Sequence, residues 1–335
     1  MKMRLKAEWE PQERVYLCFG SDKRPVYGKE RLARIREDLG VLARAIRPFA
    51  PVTMLINPGD ETRAADMCGD GIDLLVMRHF DIWARDTLGL PLRSDNGALS
   101  WLDMNFNVWG EVSRNSGYAA DRELARLFAQ THLGCPVHTA GFILEGGALE
   151  SDGNGTLLTT ESCVLHDKRN GALDRQSAEV MLRRETGAKS VVWLPGYKGK
   201  DDITSGHIDG LARFVAAGRI IVEADSSGES DLSAENLAVL AGARTADGRE
   251  LDVIKLTPPP ESVPKREVYY ASTYLNFLIV NGGVIVPAFA AEAEATDRRA
   301  QETFAFLFPD KTITPLCLEH VFQEGGGIHC VTMNV

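Results

Sequence analysis

Apolar residues return at three- and four-residue steps in five stretches of the chain, and a short β-rich run follows each. The most regular is Lys29 to Arg47, where Leu32, Ile35, Leu39, Leu42 and Ile46 share one helical face. Val52-Thr53-Met54-Leu55-Ile56 succeeds it as a strand. Asp121 is placed to cap a second helix carrying Leu124, Leu127 and Phe128, with Pro136-Val137 beyond. Gln176 to Thr186 closes on Gly187, a residue suited to the left-handed turn that ends helices, before Val191-Val192-Trp193-Leu194. Ser233 to Ala243 leads to Leu251-Asp252-Val253-Ile254. Glu292 to Phe308 stops at Pro309 and gives way to Thr312-Ile313-Thr314. One helix–turn–strand unit is thus predicted five times.

The connections differ in length, so no fixed period appears. Dividing 335 residues by five leaves 67 per unit, room for a helix and three or four strands. Two α/β architectures fit, an open sheet or five units closed as a propeller. A doubly wound nucleotide-binding fold is disfavoured, since neither G-x-G-x-x-G nor G-x-x-x-x-G-K-[ST] occurs. Pro258-Pro259-Pro260 reads as a loop rather than a linker, and a single domain over 1–335 is expected.

Composition narrows the class. Lys plus Arg number 37 against 47 for Asp plus Glu, a net charge of -10 that argues against a nucleic-acid partner and suits small cations. No apolar segment follows the charged start Met1-Lys2-Met3-Arg4, and Leu275 to Ala291 is broken by Asn281-Gly282-Gly283 and Pro287, so neither a leader nor a membrane partner is expected. The six cysteines (Cys18, Cys68, Cys135, Cys163, Cys317 and Cys330) form no Cys-x-x-Cys pair, which fits reduced thiols in a cytoplasmic protein. Oligomeric state, including a homo-oligomer, is left open.

Four short polar clusters lie between apolar runs: Asp81-Ile82-Trp83-Ala84-Arg85-Asp86, Phe142-Ile143-Leu144-Glu145-Gly146-Gly147, Ser205-Gly206-His207-Ile208-Asp209-Gly210, and Glu324-Gly325-Gly326-Gly327-Ile328-His329-Cys330. Were His207 and Asp209 on a strand, their side chains would share a face. On the same premise His329 would point away from Cys330. Each cluster has a plain structural alternative: Cys330 as a small buried hydrophobe, Asp86 as an ion pair with Arg85, Cys163 and Trp83 as packing. Together they supply a nucleophile, a base and three carboxylates. If the five units are radial, the clusters converge on one site. Asp201, Asp202, His207 and Asp209 could ligate a metal, but their spacing matches no recognised site, and no metal is expected.

With these motifs the chain resembles the agmatine deiminase and bacterial-type peptidyl-arginine deiminase family of guanidino-modifying enzymes. The resemblance runs from Ala7-Glu8-Trp9-Glu10-Pro11-Gln12, through Trp83-Ala84-Arg85-Asp86-Thr87, Asn105-Phe106-Asn107-Val108-Trp109-Gly110, Leu144-Glu145-Gly146-Gly147, Gly155 to Cys163 and Gly206-His207-Ile208-Asp209-Gly210, to Ile328-His329-Cys330. It implies a five-bladed ββαβ pseudo-symmetric propeller, the pentein fold. It also implies that Cys330 attacks the guanidinium carbon, that Asp86 and Asp209 hold its nitrogens, and that Glu145 completes an anionic cage beside His207. Trp83 would line that cage or pack on the substrate's aliphatic tail. His207 would protonate departing ammonia and then deprotonate water, with no cofactor required. The substrate implied is a small cationic guanidino compound, agmatine first, with arginine, peptidyl-arginine and other alkylguanidines open. Gly210, Leu88-Gly89-Leu90 and Gly327 depart from the agmatine deiminase pattern. Competing classes are a cysteine hydrolase of amides, an amidinotransferase, and a guanidine-binding module without turnover.

Overall fold

The computed structural model describes residues 3–24, 26–111, 117–197, 203–224, 234–260, 263, 270–289 and 293–335. The chain forms two compact units. One comprises Met1–Glu10, Asp86–Arg114 and Ala125–Leu256; the other Pro11–Arg85, Asn115–Leu124 and Thr257–Val335.

The first unit holds three sheets. Leu90–Ser94 pairs antiparallel with Leu99–Asp103, which pairs in parallel with Val137–Thr139; Met3–Leu5 lies antiparallel on the outer side of Leu90–Ser94. In the next, Glu150–Ser151 is antiparallel to Thr156–Thr160, and Ser190–Leu194 is parallel to it. In the third, Ala212–Ala216, Arg219–Glu223 and Asp252–Leu256 repeat that order. The second unit repeats it twice. Leu278–Val280, Gly283–Pro287 and Thr312–Leu316 form one sheet. The other runs Thr332–Asn334, Val15–Cys18, Val52–Ile56 and Asp73–Val76, so the last strand of the chain supplies the antiparallel partner of Val15–Cys18.

Each sheet therefore contains an antiparallel pair followed by a parallel strand. A helix lies in every parallel connection, because parallel neighbours need a long crossover. These helices are Gly28–Ile46, Tyr118–Leu127, Arg175–Thr186, Ala234–Gly242 and Glu294–Leu307, with Glu61–Cys68 in the additional parallel connection from Val52–Ile56 to Asp73–Val76. The five helix–strand units expected from periodicity are present, and the periodicity under-read what precedes them. Central strands such as Val52–Ile56, Thr156–Thr160 and Gly283–Pro287 are buried along their whole length, so none shows a strict apolar–polar alternation. The outer parallel strand Asp252–Leu256 is largely uncovered. Among the described residues no helix is long and apolar enough to cross a membrane.

One expected cap is corrected. Asp121 lies inside Tyr118–Leu127, and its buried carboxylate accepts the backbone N–H groups of Phe80 at 2.7 Å and Asp81 at 3.1 Å. Burial and the neighbouring Asp81 push its pKa up to about 8. The cap at Arg175–Thr186 is instead Asp174, which accepts from Ser177 N–H at 2.7 Å. That helix closes on Gly187 with φ +73°.

A β-carbon at Gly187 would stand 2.2 Å from the Met3 carbonyl oxygen, whereas one at Gly134 (φ +62°) would meet nothing within 4 Å. Gly134→Ala is expected to cost about 1–2 kcal/mol, the left-handed term alone. Gly187→Ala adds overpacking and should cost about 2–5 kcal/mol. Urea unfolding midpoints of the two variants check the difference.

Candidate active site

In the first unit, chemistry gathers where two extended segments turn into short 3-10 turns. Glu145 (φ -127°, ψ 160°) immediately precedes the turn Gly146–Ala148. His207 likewise precedes the turn Ile208–Gly210. The strand expected at His207–Asp209 is therefore absent. The two side chains converge through the turn, which places Asp209 back toward Gly147. Asp86 comes from the one-turn helix Ala84–Thr87. Glu145, Asp209, Asp86 and His207 are 0%, 2%, 5% and 5% exposed, so each charge depends on its protein partners.

Gly147 is the geometric centre. The position its β-carbon would take lies 2.5 Å from His207 Nδ1, 3.0 Å from Asp209 Oδ2 and 3.2 Å from Asp86 Oδ1. Its backbone N–H donates to Asp86 Oδ1 at 3.0 Å. The other Asp86 oxygen accepts from Trp109 Nε1–H at 2.9 Å. Trp109 is held in a strained loop, with φ of +65° at Val108 and +54° at Trp109. Such values are unfavourable for a β-branched or bulky residue and persist where surroundings impose them. His207 Nδ1 is buried without a hydrogen-bond partner, and it faces this centre.

Behind the centre, Arg169 Nε donates to both Glu145 oxygens, at 2.9 and 3.0 Å, with both side chains fully buried. Its other nitrogens reach Ser205 Oγ at 3.3 Å and the Thr204 carbonyl at 3.0 Å. Arg169 thus ties Glu145 to the segment that carries His207. The His207 ring meets Glu145 Oε2 through Nε2 at 3.2 Å, and Cys163 Sγ lies 4.0 Å from that same oxygen.

The charges settle accordingly. Burial alone would raise the Glu145 carboxyl, but Arg169 and His207 hold it below the usual range. Burial opposes a charged imidazole at His207. Attraction to Asp86 and hydrogen bonds to Cys163 and Glu145 outweigh that, and hold its pKa well above the ordinary value of 6.5. Asp86 is raised, first by burial and then by Glu145 and Asp209, against the lowering effect of His207. Both Glu145 oxygens are thus engaged by Arg169, while Asp86 and Asp209 each turn an oxygen toward the point that His207 Nδ1 also faces.

Cys330 and Trp83 belong to the second unit. Cys330 is partly exposed on a turn before Thr332–Asn334, and its carbonyl accepts the Arg85 backbone N–H at 3.1 Å. His329 is on the same turn, so the strand alternation expected there does not apply. Trp83 is buried, with its ring where a β-carbon of Gly326 would come within 2.3 Å. Asp201 and Asp202 lie outside the described residues. Glu145, Cys163 and His207 offer ligand atoms within 4.8 Å of one another, but Arg169 already neutralises Glu145 and disfavours a second cation there. Sequence reasoning missed Arg169 and Trp109 as site residues; the only signal was their place in polar motifs.

The profile of the Porphyromonas-type peptidyl-arginine deiminase family matches residues 4–335. An agmatine deiminase from Stutzerimonas stutzeri is 32% identical over 349 residues, covering 97% of this chain and 93% of the relative. One from Pseudomonas putida is 32% identical over 351 residues, with the same 97% and 93% coverage. Among solved structures, the agmatine deiminase of Enterococcus faecalis is similar at a TM-score of 0.91 and 28% identity, covering 99% of this chain and 95% of that one.

Two outcomes follow from the buried charges. Arg169→Met strands the Glu145 carboxylate and should cost about 3–5 kcal/mol in urea unfolding at pH 7, with Glu145→Gln in the same chain restoring part of it. His207, with its pKa raised in the folded state, binds its proton more tightly folded than unfolded. The stability it contributes is full below about pH 6.5 and is lost as pH rises through the folded pKa. The stability advantage of the wild type over His207→Gln should therefore shrink on going from pH 6 to alkaline pH.

Proposed function

Because the chain belongs to the Porphyromonas-type peptidyl-arginine deiminase family, we propose that it hydrolyses the guanidinium of agmatine, releasing ammonia and N-carbamoylputrescine. The observation that supports this reading is the convergence of His207 Nδ1, Asp209 Oδ2 and Asp86 Oδ1 on the side of Gly147 where a side chain would stand. Three carboxylates (Asp86, Glu145, Asp209) against two cations (Arg169, His207) leave a formal charge of -1 when all are ionised, which one guanidinium neutralises.

In this reading Asp86 and Asp209 accept N–H bonds from the guanidinium and orient its carbon. Cys330, as thiolate, adds to that carbon. Protonated His207 gives its proton to the departing nitrogen, and ammonia leaves an S-alkylthiouronium. Neutral His207 then takes a proton from water, whose oxygen adds to the same carbon. Collapse expels the Cys330 thiolate, the hydroxyl proton passes to the solvent where it is taken up by ammonia, and the ureido product remains. Glu145 keeps the imidazole oriented and charged for the first half, and Trp83 lines the substrate's path. Sulfur, imidazole and water supply every step, so the scheme uses no cofactor.

The same reading arranges the five ββαβ sheets as blades of a pseudo-symmetric pentein propeller, one guanidino-modifying domain over 1–335. Its support is the five-fold recurrence of one strand order. A reactive thiol also suits a cytoplasmic setting.

Agmatine, arginine, arginyl peptides and simple guanidines should be compared by ammonia release and ureido product. Agmatine is expected to have the highest kcat/KM, and a higher value for any other member would overturn the substrate assignment. Cys330→Ala should lose turnover by at least about 10³-fold. Gly147→Ala, which places a methyl at the centre of the site without an unfavourable φ, should raise KM or abolish binding; wild-type kinetics in either variant would sink the scheme.

A further inference from the structure

One of the side chains that hold the turn carrying Cys330 also reaches its sulfur. Asn276, only 4% exposed, precedes the strand Leu278–Val280. Its Oδ1 accepts the backbone N–H groups of His329 at 2.9 Å and Cys330 at 3.2 Å. Its Nδ2 stands 3.1 Å from the Cys330 sulfur. The amide orientation is dictated by chemistry: two N–H donors point at one end, so that end must be the carbonyl oxygen and the NH₂ must face the sulfur.

Gly327 makes the approach possible. A β-carbon there would lie 2.6 Å from Asn276 Oδ1, 2.8 Å from its Cβ and 2.9 Å from its Cγ. The glycine at which this chain departs from the agmatine deiminase pattern thus leaves the space the Asn276 side chain fills.

We propose that Asn276 positions the nucleophile, its carbonyl fixing the turn and its amide N–H donating to the Cys330 sulfur so that the thiolate is favoured. An N–H donor stabilises the charged form of its acceptor and leaves the neutral thiol little changed. Being uncharged itself, the amide keeps this effect whether or not a neighbouring imidazole has given up its proton. It also limits sulfur rotation, which matters when attack must follow one direction. The inference rests on the proposed role of Cys330 as nucleophile.

Asn276→Asp separates the two functions. Its carboxylate still accepts both backbone N–H groups, but it has no donor for the sulfur and adds a like charge. The readout is the pH dependence of Cys330 alkylation by iodoacetamide, followed on the Cys330 peptide by mass spectrometry, which needs no turnover. Arg85, whose backbone and guanidinium bond the Cys330 and His329 carbonyls at 3.1 and 3.4 Å, and His329 itself pack on this turn. They are unaltered in the variant, as are His207, Asp86, Asp209 and Glu145, which the proposed reading assigns to the same reaction.

The alkylation midpoint should move up by about one pH unit or more, and kcat should fall about ten- to a hundredfold with KM changed less than about twofold. Gly327→Ala, which displaces Asn276 without altering its chemistry, should shift the midpoint in the same direction and decides the matter if Asn276→Asp does not fold. Folded variants with a wild-type midpoint overturn the proposal, even if turnover falls. Failure of the functional reading is separate: full activity in Cys330→Ala removes the nucleophile's role, whatever the alkylation profiles show.

Discussion

Buried negative charge is the constraint around which the first unit is organised. Glu145 has no access to water, and Asp86 and Asp209 have almost none. Carboxylates taken out of solvent at such proximity survive only with partners, and each partner here does a second task. Arg169 neutralises Glu145 and also bonds Thr204 and Ser205, fixing the approach to His207. His207 lies between Glu145 and Asp86 and is charged because of them. Asp86 is raised all the same, first by its burial and then by Glu145 and Asp209.

The backbone bears part of the expense of this arrangement. Trp109, which donates to Asp86, and its neighbour Val108 both adopt left-handed angles, each costing roughly 1–3 kcal/mol. Glycine is used where side chains must meet: Gly147 leaves open the point on which three polar groups converge, and Gly326 and Gly327 admit Trp83 and Asn276. In each unit, by itself, these glycines supply clearance that a β-carbon would remove.

Much of the scaffold was legible in the chain. A helix with one apolar face must bury that face, so Leu32, Ile35, Leu39, Leu42 and Ile46 announce Gly28–Ile46 with little ambiguity. The antiparallel leading strands were harder. Leu278–Val280 and Glu150–Ser151 are too short for a period-two signal, and fully buried strands lack alternation altogether. Asp121 misled because a carboxylate near a helix start looks alike whether it caps its own helix or a loop brought in by tertiary packing. Arg169, within Asp167-Lys168-Arg169-Asn170, reads as an exposed charged turn; nothing local tells it from a solvated one.

The order of residue types by itself determined the five helix–strand units, the acidic balance, and the short list of groups able to do chemistry: Asp86, Glu145, His207, Asp209 and Cys330. Those follow from periodicity and from the few side chains that titrate or attack near neutral pH. Only the tertiary structure decided that His207 and Asp209 leave a 3-10 turn instead of a strand, that Arg169 is the counter-charge of Glu145, and that Asn276 stands against the Cys330 sulfur. The last two depend on contacts between residues 24 and 54 positions apart, set by how buried elements pack, and local pattern carries no record of them.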